Sequence, residues 1–137
     1  MATKYIKSGL GQQTVDEWTV AGAVTKGDMM MVFPATDGKT AVVATSAAVD
    51  LLGFAMETKT TATTKLLIDV NPTSVYQIET TASCTQGIEY DLTDKDTVDQ
   101  SATTNKVVRC VKKDPGAVTT QGQFVAVKHF YGSGVTT

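Results

Sequence analysis

MMMVFPATDGKTAVVATSAAVDLLGFAMETKTTATTKLLIDV, residues 29–70, reads as a run of short β-strands cut by polar turns. Met29 to Phe33 is an uninterrupted apolar run, too short for a helix and suited to a buried strand. Pro34 ends it, because proline offers no N–H to a central ladder. Asp37-Gly38 between two apolar runs is a hairpin signal, since glycine supplies the positive φ that the turn requires. Thr40 to Thr45 is the expected return strand. Ser46 to Asp50 reads as one helical turn with Ser46 as N-cap. Gly53 to Thr58 alternates, with Phe54 and Met56 on one face and Ala55 and Glu57 on the other. Lys65 to Val70 is a further strand, closed by Asn71-Pro72.

The same grammar extends in both directions. Downstream, Ser74 to Glu79 is a strand, and Ile88 to Leu92 is the cleanest alternation, with Ile88, Tyr90 and Leu92 inward and Glu89 and Asp91 outward. Thr93 to Asn105 is a long polar connection with a short bridge at Thr97 and Val98. Lys106 to Lys112 is a strand, Asp114-Pro115-Gly116 has the type II turn pattern, and Gln123 to Phe130 is the last strand. Upstream, a first strand is expected from Trp18. About nine or ten strands at roughly dozen-residue spacing indicate an all-β protein, a small β-barrel or β-tulip. No helical segment is long enough for a parallel crossover.

Composition agrees. The 137 residues include 24 threonines, which are β-branched and suit a pleated surface better than a helix. The length fits one domain with a real core. A net charge of −2 gives no basic stripe for nucleic acid. No apolar run approaches a membrane span. MATKYIKSG lacks the apolar run of a secretory leader, so synthesis in a cytoplasm is expected. Cys84 and Cys110 have no metal-ligand spacing and are expected as reduced thiols packed like small hydrophobes.

The domain reading is an N-terminal arm over 1–16, a β-barrel domain over 17–131 and a flexible C-terminal tail over 132–137. The arm is polar with scattered Tyr5, Ile6 and Leu10. It reads either as a frayed terminus or as an arm that orders on a partner, offering those three residues or adding a strand to the partner's sheet edge. Trp18 is expected in the core or at a subunit contact.

Catalytic chemistry is not visible. His129 is the single histidine, with no nucleophile motif to serve, and is expected at a surface or sheet edge. Asp91 to Asp99 is rich in carboxylates, but it lacks the glycine and late glutamate of a calcium loop. Gly9-x-Gly11 and Gly132-x-Gly134 precede no helix that could hold a phosphate. The expectation is a non-enzymatic protein with no catalytic residue, metal or cofactor.

The order Gly27-Asp28 into MMMVF, then DGKTAVVATSAAVDLLGFAMET, LLIDV, GIEYDLT and TTNKVVRCV resembles the bacteriophage capsid decoration proteins, also called cement or head-stabilising proteins. The likeness runs from about Gly22 to Val111. It implies a structural virion protein on the capsid surface, a homotrimer that binds the major capsid protein and stabilises the expanded shell by bridging neighbouring subunits. Tyr5, Ile6 and Leu10 would then form a capsid-binding latch. Two other classes stay open: a carbohydrate- or receptor-binding β-module of a phage or adhesin, and a trimeric nucleotide hydrolase of the dUTPase type, whose glycine-rich arm Gly132-Ser133-Gly134 resembles.

Overall fold

The computed structural model describes residues 3–8, 14–33, 40–60, 65–113 and 120–130. The Asp37-Gly38 hairpin, the Asp114-Pro115-Gly116 turn, Leu10 and the tail lie outside them. The described residues form eleven strands and no helix: β1 (Lys4–Lys7), β2 (Val15–Val20), β3 (Met29–Val32), β4 (Thr40–Val43), β5 (Gly53–Ala55), β6 (Lys65–Asp69), β7 (Val75–Thr80), β8 (Glu89–Asp94), β9 (Thr97–Asp99), β10 (Val108–Lys113) and β11 (Gln121–Ala126). The expected all-β barrel is therefore present. The helical turn expected at Ser46 to Asp50 is a non-helical turn.

Strands β2-β4-β3-β5-β6 close a barrel. The remaining strands form a sheet ordered β1-β7-β11-β10-β8-β9, and a further β7–β9 pairing closes it on itself. The second ring thus runs β7-β9-β8-β10-β11, the order of the first with each strand replaced by the one five places later. Both rings contain a single parallel pair, β2–β4 and β7–β9, and are otherwise antiparallel. The registers correspond residue for residue. Met30 pairs with Gly53 as Tyr90 pairs with Val108. Trp18 pairs with Leu66 as Ile78 pairs with Gly122. Val20 pairs with Ala41 as Thr80 pairs with Val98. The chain is a tandem of two five-stranded barrels.

Equivalent turns lead into β3 and β8, the second strand of each barrel in chain order. Gly27 and Gly87 both have positive φ, 94° and 89°, which glycine adopts without a Cβ penalty. Gly27 N–H donates to the Ala55 carbonyl, and Gly87 N–H donates to the Cys110 carbonyl.

Two apolar clusters fill the molecule. Trp18, Val20, Met30, Leu52, Leu66 and Ile68 occupy the first barrel. Tyr76, Ile78, Tyr90, Leu92, Val98 and Phe124 occupy the second, joined by Met29, Leu51 and Phe54 from the outer wall of the first. This explains β5, where all three residues are buried: Ala55 faces one cluster and Phe54 the other. The Phe54 ring stacks on Tyr76 at 3.6 Å between centroids. Tyr76 donates its hydroxyl to buried Asp69 of β6 at 2.8 Å, a hydrogen bond across the seam. Gly53 permits this closeness, because a Cβ there would strike the carbonyl of Asp69.

Several expectations change. The strand expected from Trp18 begins at Val15, so residue 16, the last of the expected arm, falls inside β2. Asp91 is buried, whereas Ile88 is 44% exposed. The long connection after Thr93 is a tight hairpin, with β8 reaching Asp94 and β9 beginning at Thr97.

Candidate docking face

Met31, Phe33, Val42, Val43, Val49 and Phe130 line an open groove of about 590 Å³ on the first barrel. Strand geometry sets the outer wall: Met31 pairs with Val42, and side chains alternate across a strand. Met30 and Val32 therefore point into the barrel while Met31 and Phe33 point out. The turn after β4 supplies the opposite wall, with buried Ala48 beneath and Val49 above. Phe33 is 59% exposed, Val49 60% and Phe130 37%. Thr45 and Asp50 are the polar lining residues.

The far end of the groove is firmly held. Phe130 N–H donates to the Leu51 carbonyl at 2.9 Å, and Leu51 N–H donates to the Lys128 carbonyl at 3.0 Å. The Phe130 ring packs edge-on against buried Trp18, 5.6 Å between centroids. Trp18 is thus a core residue that also braces the groove.

His129, expected at a surface or sheet edge, is buried, in an isolated bridge to Leu51 beside the groove. The β11 ladder ends at Ala126 and the chain folds back onto the first barrel, which covers the imidazole. Burial pushes its pKa down to about 4, against the opposing pull of the Asp69 charge and a hydrogen bond with the Leu52 backbone.

The twin barrel shows that this apolar wall is not a demand of the fold. Where the first ring has the pair Met31–Val42, the second has Asp91–Asp99. Where the first has Phe33, the second has Thr93. The second barrel uses these polar groups locally. Asp91 accepts N–H groups of Asn105 and Lys106 at 2.7 and 2.8 Å, and Asp99 accepts the Ser101 N–H and hydroxyl at 3.0 and 2.9 Å.

Of the residues expected in a latch, Tyr5 and Ile6 are among those described. Tyr5 lies in β1, which pairs antiparallel with β7 of the same chain. Its ring packs edge-on against Tyr76 at 5.4 Å, and its hydroxyl bonds Ser8, which bonds Ser74. Thr3 donates its hydroxyl to the Gly27 carbonyl of the first barrel. Residues 3–8 therefore touch both barrels. Ile6 is half-buried in the same strand.

Sequence reading missed the groove because Met29 to Phe33 looks like one buried run. The available signal was its length: five consecutive apolar residues exceed what a one-sided strand needs. Among the described residues, no group of three or more His, Cys, Asp or Glu side chains is placed to hold a metal ion. Cys84 and Cys110, far apart in sequence, lie together in the second barrel. No protein-family model matches the chain, and no curated protein matches it.

Proposed function

We propose that this protein is a structural virion component that binds the outside of an icosahedral phage capsid as a homotrimer and stabilises the expanded shell by bridging major capsid subunits. The observation that carries this reading is the exposed apolar face around Phe33, Val49 and Phe130, on a wall where Met31, Val42 and Phe33 are replaced in the twin barrel by Asp91, Asp99 and Thr93. A contiguous exposed apolar surface flanked by polar groups is a mark of a protein–protein contact. The motif resemblance supplies the kind of partner.

Magnitudes favour use in many copies. Completing the burial of three such side chains contributes about 5 kcal/mol, which is comparable to the freedom lost on association. A single such face binds weakly, whereas a trimer meeting several capsid subunits gains by avidity. The latch then contributes through Ile6 and Leu10, because Tyr5 is engaged by Tyr76.

The test is co-sedimentation with expanded and unexpanded shells. Wild type should pellet with expanded shells, and a Phe33→Ser, Val49→Ser variant should stay in the supernatant while remaining folded. Equal pelleting of both proteins would sink the assignment of the face. A sugar-binding module is the second reading, favoured by exposed Phe33 and Phe130 as stacking surfaces. The groove offers a sugar few polar groups, so the protein partner is preferred.

A further inference from the structure

We infer that Cys84 and Cys110 form a built oxidation site, a disulfide in waiting that would staple the β7–β8 connection to β10. Their sulfurs lie 3.3 Å apart, and both residues are buried, at 2% and 0% exposure. A disulfide needs about 2.05 Å between sulfurs, so the remaining gap is within reach of side-chain rotation.

The twin barrel supplies the second observation. By register Cys110 stands where the first barrel has Ala55, and Cys84, three residues before Gly87, stands where it has Val24, three residues before Gly27; Val24 and Ala55 are both buried. Ala55 pairs with Ile68 as Cys110 pairs with Phe124. The flanking turns match as well: Asp28 N–H donates to the Thr25 carbonyl, and Ile88 N–H donates to the Thr85 carbonyl. An ordinary apolar pair therefore fills this place adequately. Two thiols there add chemistry that packing does not ask for. Gly122 makes room for them, since a Cβ on it would come within 3.0 Å of the Cys84 sulfur.

The reaction is thiol–disulfide exchange with a small external disulfide such as oxidised glutathione. Cys84 lies outside the strands and is flanked by exposed Ser83, Thr85 and Gln86, so it is the sulfur that opening of its loop uncovers first. Its thiolate attacks the external disulfide, forms a mixed disulfide and expels one small thiolate. The Cys110 thiolate then attacks the Cys84 sulfur and expels the second. The two protein protons end on the two small thiols, which carry the two electrons lost by the cysteines. The closed ring joins residues 26 positions apart, long enough to restrict the unfolded chain appreciably.

The test compares native protein and protein refolded from denaturant, each equilibrated in a glutathione buffer with the oxidised form in excess. After quenching by alkylation under denaturing conditions, intact mass should show no alkylated cysteine and a loss of two hydrogens. The melting temperature should rise by about 10 °C over the reduced form. A Cys84→Val, Cys110→Ala variant, which copies the first barrel, should fold and show no such rise. Two alkylated cysteines after oxidative refolding would overturn the inference. So would oxidation that stops at glutathione adducts or disulfide-linked dimers, or closure that leaves the melting temperature unchanged.

Discussion

The two barrels share strand order, the position of the one parallel pair and register, yet almost none of their side chains. Inside, Trp18 opposite Leu66 in one becomes Ile78 opposite Gly122 in the other, and the space left by Gly122 is taken by the Phe124 ring and the Cys84 sulfur. Outside, Met29 opposite Phe54 becomes Glu89 opposite Arg109. The first pair is buried against the second barrel; the second pair is a partly buried ion pair at 2.6 Å. Cores of this kind tolerate exchange of residues when volume and pattern are kept. What the ring requires is therefore small, and what differs between the rings points to assembly and function.

Gly53 tests the comparison most severely. Its counterpart is Val108, a buried β-branched residue. The difference lies in the neighbour, because a Cβ at Gly53 meets the backbone of Asp69, which cannot swing away. Gly53→Ala should cost about 3 kcal/mol or more, seen as insoluble expression or a collapsed urea midpoint. Val108→Ala, which removes two methyl groups, should cost about 2 kcal/mol. If Gly53→Ala were the milder of the two, the close approach of β5 and β6 at the seam would be wrong.

The seam also carries a pH signature. His129 has a folded pKa of about 4 against an ordinary 6.5. Above 6.5 neither state binds the proton. As pH falls from 6.5 towards 4 the unfolded chain takes it up and the folded chain does not, so stability is lost across that window. Below 4 both states are protonated and the loss stops growing. The total is about 3 kcal/mol. Asp28 acts in the opposite sense: burial raises its pKa, so lowering the pH relieves a cost in the folded state. Urea unfolding of His129→Gln between pH 7 and 4 should therefore lose the downward slope and can turn slightly upward. An unchanged slope in that variant would assign it to carboxylates instead.

Much of the fold is legible in the sequence, because threonine and valine content and two-residue alternation are local properties. The strands expected at 29–33, 65–70 and 74–79 are placed on that basis, and each overlaps an observed strand. β1 escapes because Lys-Tyr-Ile-Lys is too short to show a period, and its partner lies some seventy residues away. The duplication escapes for a related reason. Each half needs only apolar residues at matching inward positions, so Thr25-Lys26-Gly27 and Thr85-Gln86-Gly87 are the visible trace of it. His129 is misread because its burial depends on where the chain goes after β11, a tertiary fact. The apolar groove is hidden for the converse reason: an exposed Phe33 and a buried Met30 look alike in a run of five.

The ion pair between Arg109 and Glu89 asks what keeps the second barrel's outer wall from behaving like the first's. It is partly buried on both sides and short, so a double-mutant cycle to alanine should give a coupling of about 1 kcal/mol. Replacing the pair with Met and Phe, the residues at 29 and 54, should leave the barrel folded. It should also create an apolar surface that seeks a second copy, visible as concentration-dependent sedimentation. A variant that sedimented like the wild type at every concentration would show that the seam depends on Tyr76 and Asp69 more than on that apolar pair.

The smallest expected change in stability belongs to the face proposed to matter most. Phe33 and Val49 are more than half exposed, so replacing both with serine removes little buried area. The unfolding free energy should move by no more than about 0.5 kcal/mol, and shell binding should fall by at least tenfold. The equivalent experiment on the twin barrel reverses the pattern. Asp91→Ala strips the acceptor from the Asn105 and Lys106 N–H groups, which should cost about 2 kcal/mol and leave shell binding intact in the folded fraction. Stability tracking one face and binding tracking the other is the separation that a duplicated scaffold permits. Finding both effects on the same face would mean that the two barrels had not divided the work.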